Sequence, residues 1–166
     1  NGGMSFHGGF FGVLASIIYF SKKNKVSFFL ISDFIVKLTP IGLFTGRIGN
    51  FINGELWGKP TDLAWGVVFP KIDGLPRHPS QIYEAFFEGV VLFLILNFAI
   101  SKNTKVSHTT AYFLILYSVF RFTIEFLRVP DNHIGYLMFN WVTMGQTLCI
   151  PMFILGLYIL KIRNGN

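Results

Sequence analysis

Charge is scarce in this chain, and cysteine scarcer. Lys and Arg together number 14 and Asp and Glu 8 in 166 residues, so 13% of the sequence is charged against 52% apolar, with a mean hydropathy of +0.53. A soluble domain of this length can bury a good core, but it needs more charge than this to cover its surface. The composition therefore excludes an ordinary soluble domain and points to lipid as the solvent of the excess apolar surface. Cys149 is the single cysteine, which excludes an intramolecular disulfide and any cysteine-based metal cluster and leaves the redox compartment unread. It reads as a packing residue in an apolar helix. The opening "NGGMSFHGG" has no basic n-region and hence no recognisable signal peptide, and the expectation is a fragment that begins inside a larger protein. No internal repeat and no low-complexity linker is visible.

What is present is a series of long apolar segments: Phe6 to Phe20, Val26 to about Trp57, Ile82 to Ile100, Thr109 to Leu127 and Tyr136 to Leu160. A membrane span needs about 20 mostly apolar residues. Lipid offers the backbone no hydrogen-bond partner, so such segments must be helical. The expected fold is all-α, a polytopic transmembrane bundle of about five spans forming a single domain over residues 1–166. The second segment carries Asp33, Lys37 and Pro40 and is expected to bend or break near "LTPIG". Asp33 and Lys37, four apart, read as an internal pair or as inward snorkelling. Residues 58–81 hold the β-formers Val67, Val68 and Phe69, then "DG" and two prolines, and are expected to form a small extracytoplasmic cap with a short hairpin.

Lysine placement orients the spans. Lys22, Lys23 and Lys25, then Lys102 and Lys105, then Lys161 with Arg163 occupy every second loop, which assigns those loops to the cytoplasm. The net charge of +6 is accordingly a positive-inside signal with contact to anionic headgroups and not a nucleic-acid stripe. His7, Arg47, Asn50, Glu55, His78, Gln81, Glu84, Tyr117, Arg121, Glu125 and Arg128 then fall near the opposite ends of their segments, where they can converge on one outer-leaflet pocket. Tyr117, Arg121, Glu125 and Arg128 step by four, four and three along one helix face. His108 and His133 fall in loops and receive no role.

The stretch "TGRIGNFINGELWG", Thr45 to Gly58, sets a guanidinium, two amides and a carboxylate into this apolar background. Intramembrane ionisable groups are expensive and usually tied to a site. An Arg with no acid at helical reach on its N-terminal side invites an anionic ligand, and its fork suits phosphate. The plainer alternatives are that Arg47 pairs with Glu55, that Arg121 and Glu125 merely neutralise one another, and that Gly46, Gly49 and Gly54 serve close helix packing. Trp57, Trp65, Tyr83, Tyr136 and Trp141 fit an interfacial aromatic belt. A histidine at a helix start, such as His7, is more often a cap or anchor than a base.

"GRIGNFINGELWG" with "RHPSQIYEAFFEGVVLF", preceded by "MSFHGG" and followed by "YSVFRFTIEFLRVPD" and "MGQTLCIPM", resembles the prolipoprotein diacylglyceryl transferases of bacterial inner membranes. Five blocks occur in the family's order over nearly the whole chain. Only the start departs, because the family has further spans before the "HGG" block. The resemblance implies transfer of the diacylglyceryl group from phosphatidylglycerol to a lipobox cysteine thiol of a prolipoprotein, with release of glycerol phosphate. It implies a multi-pass protein of the bacterial inner membrane whose site faces outward, with phosphatidylglycerol, the lipobox peptide and membrane lipid as partners.

Displacing a phosphate ester at carbon requires binding an anionic headgroup, stabilising the leaving phosphate and presenting a thiolate. It requires no metal in principle, and no cofactor is expected. On the match, Arg47 is the candidate for the headgroup phosphate, Asn50 and Glu55 would hold the glycerol hydroxyls or orient Arg47, and Gly58 belongs to the same phosphatidylglycerol-binding set. Arg121 is the second, catalytic cation, where leaving-group charge develops. His7 is the candidate base for a thiol of reference pKa about 8.5. His78, Gln81, Tyr117, Glu125 and Arg128 would support them. Two other classes stand beside this one. A small-solute transporter fragment should show repeats and midplane polar groups, and a non-catalytic assembly subunit has no need of Arg47 and Arg121 at matching depth.

Overall fold

The computed structural model describes residues 6–70, 72–100, 104–130 and 135–164, and every structural statement below concerns those residues. They form a mostly helical chain of five long helices: α1 (Phe6–Asn24), α2 (Phe28–Asn53), α3 (Ser80–Ala99), α4 (His108–Glu125) and α5 (Met144–Asn164). A short hairpin, β1 (Val67–Val68) and β2 (Pro76–Arg77), lies between α2 and α3. Three helices, α2, α3 and α5, are long and apolar enough to cross a membrane. Phe34, Ile52, Phe98, Ile154 and Tyr158 stay exposed on these three, as expected of helices whose outer faces meet lipid.

α2 and α4 run in the same direction, with α3 and α5 antiparallel to them. Asp33 of α2 meets Thr110 at the start of α4, whereas Arg47 of α2 and Arg121 of α4 both reach Glu84 near the start of α3. The bundle thus has two chemically different ends. At the first, the Arg163 guanidinium lies 5.2 Å over the Phe29 ring, near the Lys22, Lys23 and Lys25 turn that joins α1 to α2. Ser107, which precedes α4, has a φ of 84° and makes no side-chain cap of its own. The Asp33 carboxylate replaces that cap from the neighbouring helix, accepting the Ser107 and Thr110 amides at 2.7 and 2.8 Å. His108, expected in a loop, is instead buried in the first turn of α4.

α2 continues through Pro40 without a break, contrary to the break considered at "LTPIG". Pro40 is fully buried, and the Asn97 side chain of α3 donates at 3.1 Å to the Lys37 carbonyl in the turn that the proline ring crowds. A neighbouring helix thus supplies a hydrogen bond where the proline weakens the ladder, which is how such prolines persist in membrane helices. α2 ends at Asn53, about four residues short of the expected limit, where Gly54 with a φ of 68° closes the helix on the Asn50 and Phe51 carbonyls.

α3 begins as a single α-turn, Ser80–Glu84, and then widens into π-helix over Ala85–Val91 and again over Ile95–Ala99. α5 starts at Met144, well after Tyr136. The preceding residues make a tight turn with Met138 bridged to Val142 and positive φ at Phe139 and Asn140. A reciprocal cap then opens the helix: the Gln146 amide donates to Thr143 Oγ1 at 3.3 Å, and the Thr143 amide to Gln146 Oε1 at 3.0 Å.

The expected hairpin is present, with Val67 opposite Arg77 and Val68 opposite Pro76, and Gly74 at φ 72° in its turn. It is tied to the helices by a backbone crossing. The Gly58 amide donates to the His78 carbonyl at 3.0 Å, the Lys59 amide to the Leu127 carbonyl at 2.8 Å, and the Val129 amide to the Trp57 carbonyl at 3.2 Å. Arg77 is buried beneath the crossing. Its Nη1 donates to the Gly58 carbonyl at 3.0 Å, and its Nε and Nη2 to the Asp73 carboxylate.

Candidate functional site

The second end of the bundle holds an ionic cluster drawn from three helices and the turn after α4. Arg47 projects from the last third of α2, Glu84 and Glu88 from the first two turns of α3, Arg121 and Glu125 from α4, and Arg128 from just beyond it. Arg47 Nε lies 3.0 Å from Glu84 Oε2 and its Nη2 3.4 Å from Glu88 Oε2. Arg121 Nη1 donates to Glu84 Oε1 and lies 3.9 Å from Glu88 Oε1, and its Nη2 lies 2.6 Å from Glu125 Oε2. Arg128 Nη1 stands 3.9 Å from Glu84 and 3.8 Å from Glu125, whose other oxygen accepts the Thr143 hydroxyl at 2.9 Å. Formal charge in the cluster cancels, with three guanidiniums against three carboxylates.

Burial at this level costs several kcal/mol per ion unless every charge is matched, and removing one partner strands the other. Glu84 and Glu88 are wholly buried, whereas 16% of the Arg47 side chain is accessible. Arg47 is thus the cation of the cluster most open to an arriving group. Its Nε–Nη2 edge faces the two carboxylates of α3. The remaining Nη1 corner contacts no carboxylate among the described residues.

Local structure explains why α3 can supply both acids. A π-turn is wider than an α-turn and is frequent at functional sites. It begins at Ala85, directly after Glu84, and contains Glu88. Gly89 follows, and a Cβ there would lie 2.7 Å from Cβ of Phe44, so α3 and α2 approach closely three residues before Arg47.

The remaining candidate residues distribute around this cluster. Gln81 is wholly buried, and its amide nitrogen donates to the Glu55 carbonyl at 2.5 Å. The Glu55 side chain is exposed, so the carboxylates that meet Arg47 are Glu84 and Glu88, in place of the Glu55 pairing considered from sequence. Asn50 is partly buried in the last turn of α2. Gly58 lies in the crossing, where a Cβ would stand 2.4 Å from the His78 carbonyl oxygen. His78 Nδ1 is 3.4 Å from the Tyr83 hydroxyl, which accepts the Trp65 indole N–H at 2.8 Å. The Tyr117 ring stacks on Phe113 at 5.8 Å, one turn from Arg121. His7 belongs to the first turn of α1, and its side chain lies outside the described residues, as does His133.

Sequence reading grouped Glu84 with the converging polar residues without giving it a role, and passed over Glu88. The available signal was two acids four apart in an apolar helix with no basic residue on that helix to pair them.

Comparison with known proteins places this arrangement. The family model described as Prolipoprotein diacylglyceryl transferase matches residues 1–162. The chain belongs to this family. A relative from Nitratidesulfovibrio vulgaris (strain DP4) is 55% identical over 161 residues, covering 97% of the chain and 61% of the relative. One from Methylococcus capsulatus is 51% identical (96% and 61%), and one from Pseudomonas fluorescens (strain Pf0-1) is 53% identical (96% and 60%). Each of these relatives is named a phosphatidylglycerol–prolipoprotein diacylglyceryl transferase. The chain therefore spans less than two thirds of the length of the curated relatives it matches. Among the described residues, the ionic cluster is built by Arg47, Glu84, Glu88, Arg121, Glu125 and Arg128 of this chain.

Proposed function

We propose that this chain forms the headgroup-binding and leaving-group part of a phosphatidylglycerol–prolipoprotein diacylglyceryl transferase. The observation that carries this reading is that Arg47 and Arg121, from helices not adjacent in sequence, meet on one buried carboxylate, Glu84. Two guanidiniums held this close form a preorganised site for a phosphodiester, which Arg47 meets through the corner that no carboxylate occupies among the described residues. Arg47, the more accessible, takes the headgroup phosphate. Arg121 stabilises the phosphate that departs, and Asn50, Glu55 and Gly58 border the glycerol.

The thiolate sulfur of a lipobox cysteine attacks the glyceryl carbon, a C–S bond forms, and the C–O bond to phosphate breaks to release glycerol phosphate. The thiol proton goes to a base, for which His7 is the candidate. His78, Gln81, Tyr117, Glu125 and Arg128 support the cluster and the crossing beside it. α1 and α4 join the three apolar helices to give five spans in one transmembrane domain. The protein sits in the bacterial inner membrane with the cluster on the extracytoplasmic side, and residues 58–81 cap it where peptide and lipid meet. Membrane lipid, phosphatidylglycerol and the lipobox peptide are its partners.

The test uses the full-length enzyme and follows thioether formation on a lipobox peptide in phosphatidylglycerol-containing detergent, with folded protein measured alongside. Arg47→Ala should lose nearly all transfer. Arg47→Lys, which keeps the charge and loses the fork, should fall by roughly a hundredfold, the order of one transition-state hydrogen-bond donor. Near-normal turnover by well-folded Arg47→Lys and Arg47→Ala refutes the phosphate reading.

A further inference from the structure

The geometry points to Glu88 as a positioning residue that fixes the rotation of the Arg47 guanidinium and so aims its free corner at the lipid phosphate. This rests on the reading of Arg47 as the phosphate ligand and adds to it a residue that touches no substrate. Arg47 is gripped along one edge by two carboxylates from successive turns of α3, Glu84 at Nε and Glu88 at Nη2. Two contacts on one edge define the plane and rotation of a planar fork, whereas a single contact at Nε leaves it free to swing.

Without Glu88, Nη2 would be drawn towards Glu84, which already holds Nε and the Arg121 guanidinium. The fork would then close on that carboxylate as a bidentate pair, and its exposed corner would turn away from the ligand.

The backbone is shaped to hold Glu88 where this requires. The π-helical stretch begins one residue after Glu84 and includes Glu88, and Gly89 admits Phe44 of α2 to the surface of α3. Glu88 is wholly buried, with one oxygen 3.4 Å from Arg47 and the other 3.9 Å from Arg121, the latter without a hydrogen-bond partner. It therefore also sets the separation of the two arginines. Its contacts with Arg47 and Arg121 are longer than those that Glu84 and Glu125 make with the same two arginines, which suits a residue that guides a side chain without immobilising it.

The competing role, pure charge balance, makes the opposite prediction for two conservative variants. Glu88→Gln keeps the length and an acceptor oxygen and loses the charge. Glu88→Asp keeps the charge and retracts the carboxylate by one methylene. In the full-length enzyme, KM for phosphatidylglycerol and kcat are measured in mixed micelles, with melting temperature beside them.

Positioning predicts that Glu88→Gln stays within about threefold of the parent KM while Glu88→Asp raises it roughly tenfold, since misplacement of a binding group by about 1 Å carries penalties of that order or more. The reverse ranking, or falls in melting temperature with KM unchanged, overturns the proposal. Failure of Glu88→Gln to fold does so as well, because that variant keeps the shape of the side chain and lacks only its charge. Arg47→Lys in the same assay separates the two levels. If it binds and transfers normally, the phosphate reading itself has failed. If it is impaired while the Glu88 variants rank by charge, only the positioning role has failed.

Discussion

Asp33 offers a perturbation that touches stability and leaves the ionic cluster alone. It stands fourteen residues before Arg47 on α2, about 21 Å along the helix axis at 1.5 Å per residue. Its Oδ2 accepts the Ser107 amide at 2.7 Å, and its Oδ1 accepts both the Thr110 amide at 2.8 Å and the Thr110 hydroxyl at 2.5 Å. Ser107 and Thr110 are both buried, so Asp33→Ala exposes no replacement acceptor for their amides. The hydroxyl of Thr110 keeps Ser32 Oγ at 3.0 Å as a partner, so it is the two amides that are stranded.

Losing an N-cap costs about 0.5–2 kcal/mol, and a stranded buried donor about 1–3 kcal/mol. The two effects overlap, since the cap is what satisfies one of the donors, and about 3–4 kcal/mol is the expected loss for Asp33→Ala. Asparagine presents one acceptor oxygen where aspartate presents two, so it can serve Ser107 or Thr110 and not both. Asp33→Asn should therefore lose about half as much, about 1.5–2 kcal/mol.

Unfolding in detergent by a graded denaturant, followed on the full-length enzyme, reads these values, and transfer per folded molecule should stay at the parent level for both variants. Equal loss in the two variants would show that charge, and not acceptor count, holds α2 to α4. A fall in turnover per folded molecule would show that the two ends of the bundle are coupled, against the separation drawn from the geometry.

Two further outcomes test the backbone crossing and the hairpin between α2 and α3. Gly58→Ala sets a Cβ 2.4 Å from the His78 carbonyl oxygen and 2.9 Å from that of Leu127, both backbone atoms, so the crossing must open. A loss of about 1–3 kcal/mol in melting experiments is expected, and an unchanged stability would show that the crossing yields freely. Asp73, exposed in the hairpin turn, is held below the usual carboxylate range first by its side-chain hydrogen bond with Arg77; desolvation opposes this less strongly, and the Leu75 amide and the Arg77 charge add smaller lowering effects. Its contribution is therefore fully present above about pH 4, the unfolded carboxylate value, and fades as pH falls through the lower folded value. Amide exchange in β1 and β2 should accelerate in that acid window, and Asp73→Asn should remove the acid-dependent part. An acid response that survives the substitution would assign it to another group.

How far the fold could be read in advance follows from which forces are local. The helices were legible because lipid leaves the backbone one solution per segment, and long apolar runs mark the segments. Their ends were less so. Tyr136 to Asn140 is as apolar as a helix start, yet the chain turns there with positive φ at Phe139 and Asn140, and the helix waits for the Thr143 and Gln146 cap. That Thr-x-x-Gln pattern is a start signal in its own right, and it outranks hydropathy because a capped amide at the boundary is a local hydrogen-bond requirement.

Pro40 shows the reverse case, where a local rule for breaking a helix yields to Asn97, sixty residues later. The site divides in the same way. Arg121, Glu125 and Arg128 were legible as a stripe because helical spacing is a local property. The partners of Arg47 were not, since Glu84 and Glu88 reach it across a helix interface and spacing within α2 carries no trace of them. What the sequence does carry is a balance condition. A wholly buried acid needs a cation, and α3 has no basic residue from Ser80 to Ala99, so Glu84 and Glu88 had to be answered by arginines of other helices. Applied helix by helix, that condition names the groups that must meet before any contact is known, and here it leads from the two unmatched acids of α3 to Arg47 and Arg121.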